Sequence, residues 1–261
     1  MTFWDHLEVF RKLLFRLLAI IVTTAVVTFC LKEPLFKIIL APSKPDFVLY
    51  HLVNRIAAQL NFDASILTQF NIELFSATLT SQLMIHLKIA FYAGIIVAMP
   101  YILYELYSFI SPALRLNEKR YTTTIVIWSY VLFMMGILLN YFLIFPLAFR
   151  FLGTYQVSAD VPNIITLASY SDMLTTLTLL MGILFELPIL SWFLAKLGLI
   201  NAGFMKHYRK HAFVAILIVG AVITPTTDIF TLLLIAAPIY LLYEASIKIV
   251  KRCSSSRNQE E

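Results

Sequence analysis

The sequence predicts an all-α integral membrane protein with six transmembrane helices. Three observations carry that expectation. First, 60% of the 261 residues are hydrophobic and only 13% are charged, with a mean hydropathy of +0.84. A soluble domain is about a quarter charged, so a water-soluble fold of this size could not hide so much apolar surface. Second, the apolar residues gather in runs long enough to cross a bilayer, separated by polar or proline-bearing stretches. Third, the cations cluster in alternate gaps between those runs.

Taken in order, residues 1–12 read as an amphipathic lead-in, with Phe3 and Trp4 suited to the headgroup level. The first span is expected at about 13–31, with Arg16 one turn inside and able to snorkel back to the surface. Residues 32–80 carry Pro34, Pro42 and Pro45 among short apolar patches. They are too long for a tight connection and too apolar for disorder, so a structured outer cap is expected, with short helices at about 48–60 and 72–82. The second span, about 83–109, is interrupted by Pro100. Lys88 near its outer end has to sit at the interface or be paired, because a charge at mid-bilayer costs several kcal/mol.

The third span is expected at about 121–149 and the fourth at about 170–197, with Asp172 near the outer end and Glu186 well inside. The fifth run, 212–223, is short: about 12 residues at 1.5 Å each reach roughly 18 Å, against a hydrocarbon core of about 30 Å. The sixth, about 229–247, is followed by a polar tail. All of 1–261 is expected to form a single membrane domain.

Orientation follows from the basic residues. Thirteen of the 20 Lys and Arg fall at one set of ends and five at the other. The richer side is cytoplasmic by the positive-inside bias, which places both termini inside. The net charge of +5 is not a nucleic-acid signal, since the cations sit at the ends of apolar runs rather than along one face.

The chain has no Gly-rich phosphate loop, HExxH, CxxC or GxSxG, so neither an enzyme nor an energy-coupling ATPase is expected. His207 and His211 stand at i, i+4 but on a basic inner loop, where surface histidines are the rule, and no metal or cofactor is expected. Asp172 and Asp228 both fall near the outer side, away from the mid-span pairing an intramembrane protease would want.

Two places remain. The inner loop 109–120, FISPALRLNEKR, holds three cations and one carboxylate, Glu118. Pro112 stops the preceding helix, because it has no N–H to donate. Glu118 either pairs with Arg115 or Lys119, or helps receive a cationic peptide. Glu186 lies in MGILFELPIL, where an ionised carboxylate must be neutralised, paired or turned to a wet cavity. Pro188 frees a backbone carbonyl near the same depth and bends the helix. The result is either a polar notch for a partner helix or proton, or a structural carboxylate bonded to a neighbouring hydroxyl. Glu105 is expected to pair with Arg16 or face water, and Glu244 to pair with Lys248 along its own helix.

Six stretches in order resemble the TatC family, the polytopic core subunit of the twin-arginine protein translocase. They are HLEVFR at His6–Arg11, Ala41–Pro42, FISPALRLNEKR, NYFLIFPLAFRFL at Asn140–Leu152, FELP at Phe185–Pro188, and TPTTDIFTLLLIAAPIYLLYE from Thr224. The resemblance implies a cupped arrangement of six helices with short fifth and sixth members, in a bacterial inner membrane. It implies capture of signal peptides with consecutive arginines from the cytoplasm, and export of folded proteins driven by the proton-motive force. Expected partners are the single-span subunits TatA and TatB, twin-arginine precursors, membrane lipids and further copies of the chain, with no nucleic acid.

Residue by residue, Glu118, Glu8, Arg11, Phe109 and Pro112 resemble the signal-peptide site. Glu186 and Pro188 resemble the intramembrane surface for a partner helix, and Pro42 and Asp228 resemble outer-side structural positions. Where the family has a glutamate two residues before Arg11, this chain has Val9, with Glu8 one position earlier and about 100° round a helix, so either Glu8 takes over through a local shift or recognition leans on Glu118 with Asp5. The competing reading from the residues alone is a secondary transporter with Glu186 as its proton or ion site, which an internal repeat would support; no clear repeat is visible.

Overall fold

The computed structural model describes residues 3–51, 55, 73–110, 122–156, 158, 163–223 and 228–257. It is mostly helical, and five helical stretches are long and apolar enough to cross a membrane: Leu7–Cys30, Ser81–Phe109, Thr123–Thr154, Leu167–Lys196 and Ile229–Cys253.

Helix α1, Phe3–Cys30, joins the expected lead-in and first span into one rod, since no Gly or Pro interrupts it. Helix α2, Lys32–Ile39, takes Pro34 in its first turn, where the missing N–H would be unbonded anyway. A 3₁₀ turn at Ala41–Ser43 follows, with Pro42 buried. Of the first expected cap helix, 48–51 and 55 are helical, and 52–54 and 56–72 lie outside the described residues.

The second expected cap helix, 72–82, is corrected over its described part. Strand β1, Leu74–Phe75, pairs in parallel with β2, Ile165–Thr166, and turns lead on to helix α3, Ser81–Ile110. Serine and threonine side chains compete with the backbone for hydrogen bonds and favour turns over helix; Ser76 Oγ donates to Ser81 Oγ at 3.2 Å. Among the described residues this small bridge is the only strand pairing in an otherwise helical fold.

Helix α4, Thr122–Leu139, widens into a π turn at Asn140–Ile144 before α5, Phe145–Thr154. Pro146 cannot donate to the carbonyl four residues back, and the Phe145 N–H reaches Asn140 O, five residues back. Helix α6, Leu167–Leu184, breaks at Phe185 and Glu186 and resumes as α7, Leu187–Lys196. Short α8, Ala202–His207, leads to α9, Arg209–Ile223, and then α10, Ile229–Arg257. Helix α10 runs well past the expected end at 247. Ile247 and Val250 are buried against Met205 of α8, so the supposed polar tail carries an apolar face.

Two contacts set the bundle's shape. Helices α1 and α3 cross closely at Gly94, where a Cβ would lie 2.6 Å from the Ala25 nitrogen. Thr24 Oγ1 donates to Gly94 O at 2.9 Å and Thr28 Oγ1 to Ala90 O at 2.7 Å. The main core joins α5, α6 and α10 through Phe145, Phe149, Tyr170, Leu177 and Ile235. At one end of the bundle, hereafter the cap end, three tyrosines donate to backbone carbonyls at the end of α2 and in the following turn. Tyr141 donates to Ile38 O at 2.7 Å, Tyr170 to Ile39 O at 2.7 Å and Tyr50 to Pro42 O at 3.1 Å. The other end, carrying Phe109 and Arg209, is the loop end.

Candidate functional site

At the loop end, α1 and α3 run past each other and bring sequence-distant residues together. Phe10 of α1 meets Phe109 of α3 with ring centroids 5.9 Å apart. Tyr101, Glu105 and Phe109 stand at i, i+4, i+8 and so share one stripe of α3. Arg16 of α1 reaches Glu105 at 3.4 Å, and Tyr101 Oη donates to the same carboxylate oxygen at 2.8 Å. Glu8 and Arg11 are exposed on α1, and Glu8 pairs with Lys12 at 2.8 Å. An exposed i, i+4 pair is worth only a few tenths of a kcal/mol, so Glu8 stays available to a stronger cation. Pro112 and Glu118, three and nine positions after Phe109, lie outside the described residues.

The second place is the break between α6 and α7. Pro188 removes a donor and its ring collides with the carbonyl of Leu184, so regular α-helix cannot pass. The chain tightens instead: Glu186 N–H bonds Ile183 O at 3.0 Å and Ile189 N–H bonds Glu186 O at 3.0 Å, each three residues apart. This turn aims the Glu186 side chain at α4, where Ser129 Oγ donates to Oε2. Ser129 is fully buried, and Tyr107 Oη of α3 lies 3.4 Å from its hydroxyl. Three membrane-embedded segments thus share one polar cluster. Glu186 Oε1 is buried and meets no hydrogen-bond donor among the described residues.

A family model described as Sec-independent protein translocase protein (TatC) matches residues 5–238. The chain belongs to the TatC family. A TatC from Blattabacterium sp. subsp. Periplaneta americana (strain BPLAN) is 34% identical over 252 residues, covering 95% of this chain and 94% of its own length. One from Campylobacter jejuni is 31% identical, covering 98% and 96%. A crystal structure of the twin-arginine translocase receptor TatC superposes with a TM-score of 0.76 at 30% identity, covering 95% of this chain and 99% of that one. Membership in TatC leaves the secondary-transporter alternative for Glu186 without support.

The other expected TatC residues fall at the cap end. Pro42 accepts the Tyr50 hydrogen bond, and Asp228 Oδ1 caps α10 by accepting the Thr231 N–H at 2.7 Å. Of the two expectations for Lys88, the interface or a partner, the structure shows a partner: its Nζ lies 2.7 Å from Asp172 Oδ1. Glu244 departs from expectation, because Arg209 of α9, not Lys248, reaches it at 2.7 Å. Arg209 approaches from a neighbouring helix with a planar fork that suits a carboxylate. Sequence reasoning missed Ser129 and Tyr107 as neighbours of Glu186; small hydroxyls inside an apolar run give no signal until the facing helix is known.

Proposed function

We propose that this chain is the receptor core of a twin-arginine translocase, taking signal peptides with paired arginines at the cytoplasmic face and passing their precursors on for export as folded proteins. The junction of α1 and α3 is the observation that carries the proposal. It sets the Phe10–Phe109 contact two residues along α1 from Glu8 in sequence and at the start of the 109–120 stretch that bears Glu118. A guanidinium is planar and pairs with a carboxylate through two parallel hydrogen bonds, which lysine does not match. Two adjacent arginines therefore suit two carboxylates on one rim, Glu118 and Glu8, with Arg11, Phe109 and Pro112 shaping it.

The chain is proposed to cross the membrane six times, α9 being the short fifth span, with both termini in the cytoplasm of a bacterium. The excess of Lys and Arg at the loop end supports that orientation. Single-span partners of the TatA and TatB type dock at the Glu186 cluster, further copies complete the receptor complex, and the proton-motive force drives transport. Glu186 is only partly buried as a residue, and its Oε1 has no donor among the described residues, so a rotation of the carboxylate towards a partner helix bearing a donor supports that docking place. The chain acts as a dock without catalysing a reaction of its own.

The test is site-specific photo-crosslinking from residues of the 109–120 stretch to a precursor bearing paired arginines. Glu118→Ala is expected to abolish the crosslink while the protein stays in the membrane. An unchanged crosslink removes Glu118 from the site.

A further inference from the structure

We propose that the cap-end cavity between α3 and α6 is a binding site for the headgroup of a zwitterionic phospholipid carrying a primary ammonium and a phosphate. The proposal rests on α3 and α6 lying in a membrane and is independent of signal-peptide recognition. The cavity measures about 400 Å³, within the usual range for small-ligand sites. Its charged wall is the Lys88–Asp172 pair, and hydroxyls of Thr78, Thr80, Ser81 and Thr166 line it as well. Met84 and Ile85 supply apolar wall, matching the glycerol and first methylenes of a lipid.

Depth fits the same occupant. Lys88 is the eighth residue of the 30-residue α3. Seven rises of 1.5 Å place its Cα about 10 Å below the start of the helix, and its side chain extends several ångströms back up. The headgroup region of a bilayer is about 5–8 Å deep on each side, so the ammonium reaches the level of the phosphates. The two charged side chains keep 39% and 51% of their surface open, so the ion pair is not sealed inside protein. An open ion pair at the edge of hydrocarbon needs a polar neighbour.

Charge decides which headgroup. Lys88 and Asp172 cancel, so an anionic lipid gains one attraction and one repulsion. A zwitterion splits the pair into two: phosphate with Lys88 and ammonium with Asp172. A primary ammonium can also donate to the carboxylate and the threonine oxygens, whereas a trimethylammonium has no N–H to give.

The probes are phosphatidylethanolamine, phosphatidylcholine and phosphatidylglycerol with identical acyl chains, added to the delipidated full chain and counted by native mass spectrometry. Phosphatidylethanolamine is expected to be retained about tenfold better than either competitor, the effect of one charge-assisted hydrogen-bonding partner. The double variant Lys88→Gln with Asp172→Asn removes both charges together, so neither is stranded, and it should erase the preference. The exchanged pair, Lys88→Asp with Asp172→Lys, should restore it. Equal retention of the three lipids by the unaltered chain, or a preference that survives in the uncharged variant, overturns the proposal. Free phosphoethanolamine that displaces the lipid at equal concentration also overturns it, because the site then takes a soluble ligand. Crosslinking of a paired-arginine precursor at the loop end is unaffected in both variants, which separates failure here from failure of the receptor assignment.

Discussion

Gly94→Ala tests how the α1–α3 crossing builds the loop-end rim. The added Cβ would lie 2.6, 2.7 and 3.0 Å from the nitrogen, Cα and Cβ of Ala25. Non-bonded carbons rest about 3.5–4.0 Å apart, so α1 must back away by roughly 1 Å. That stretches the Thr24–Gly94 and Thr28–Ala90 bonds, now 2.9 and 2.7 Å, towards or beyond hydrogen-bonding range. The hydroxyls remain satisfied, since Thr24 also donates to Ile20 O and Thr28 to Thr24 O. Each interhelical bond is therefore worth only about 0.6 kcal/mol. Lost packing along the rest of the crossing adds about 1 kcal/mol, for a total near 2 kcal/mol. At about 2–4 °C per kcal/mol, the purified protein should melt about 4–8 °C lower. The same displacement parts Phe10 from Phe109, so precursor crosslinking at the rim should fall with it. Thr24→Val keeps the volume and removes only a hydrogen bond, and should cost less than a third as much. An unshifted melting point for Gly94→Ala, or an equal loss in Thr24→Val, refutes the close-approach argument.

Three further outcomes are expected. Glu186→Ala should leave precursor crosslinking intact while co-purification of a single-span partner, or export, falls; normal export would make the cluster purely structural. Tyr170→Phe removes the bond to Ile39 O at 2.7 Å and should cost about 1 kcal/mol, read as faster proteolysis of the 32–51 segment with the remaining helices intact. Burial pushes the Tyr50 phenol up to about 12, with Arg150 opposing the shift. The folded state favours the neutral phenol, so its stabilisation is whole below about pH 10, the ordinary tyrosine value, and is lost as pH rises towards 12. A melting curve that Tyr50→Phe leaves with the same decline above pH 10 would count against it.

The helical scaffold was legible because bilayer thickness and proline chemistry act locally. Pro188 announced the break beside Glu186, and the depth of Lys88 called for either the interface or a partner before its pair with Asp172 was visible. Three features were not legible, each for a tertiary reason. The β1–β2 bridge joins residues 91 apart in sequence, Leu74 and Ile165, with only two residues in each strand, too few for any period to register. Helix α10 persists past 247 because α8 offers Met205 to Ile247 and Val250, which charge content in the tail conceals. Glu244 turned from Lys248 to Arg209, because a cation on a facing helix can outcompete one along its own.

Apart from Glu8, which lies at the start of Leu7–Cys30 and pairs with Lys12 on its own helix, the carboxylates inside the membrane-capable helices sort themselves by partner. Glu105 has Arg16, Asp172 has Lys88 and Glu244 has Arg209, each cation arriving from a different helix. Glu186 has a serine, and among the described residues no cation lies within ion-pair range. A carboxylate that served only to pin helices would be better held by an arginine, as at Glu244, or replaced by an apolar residue of similar volume at little cost. Glu186 instead keeps one oxygen buried and, among the described residues, without a donor at a proline break, where the helix backbone is already interrupted. An acceptor left short in hydrocarbon is stabilised by whatever brings a donor to it. That asymmetry is why docking of a partner helix is proposed at Glu186 and not at the other three.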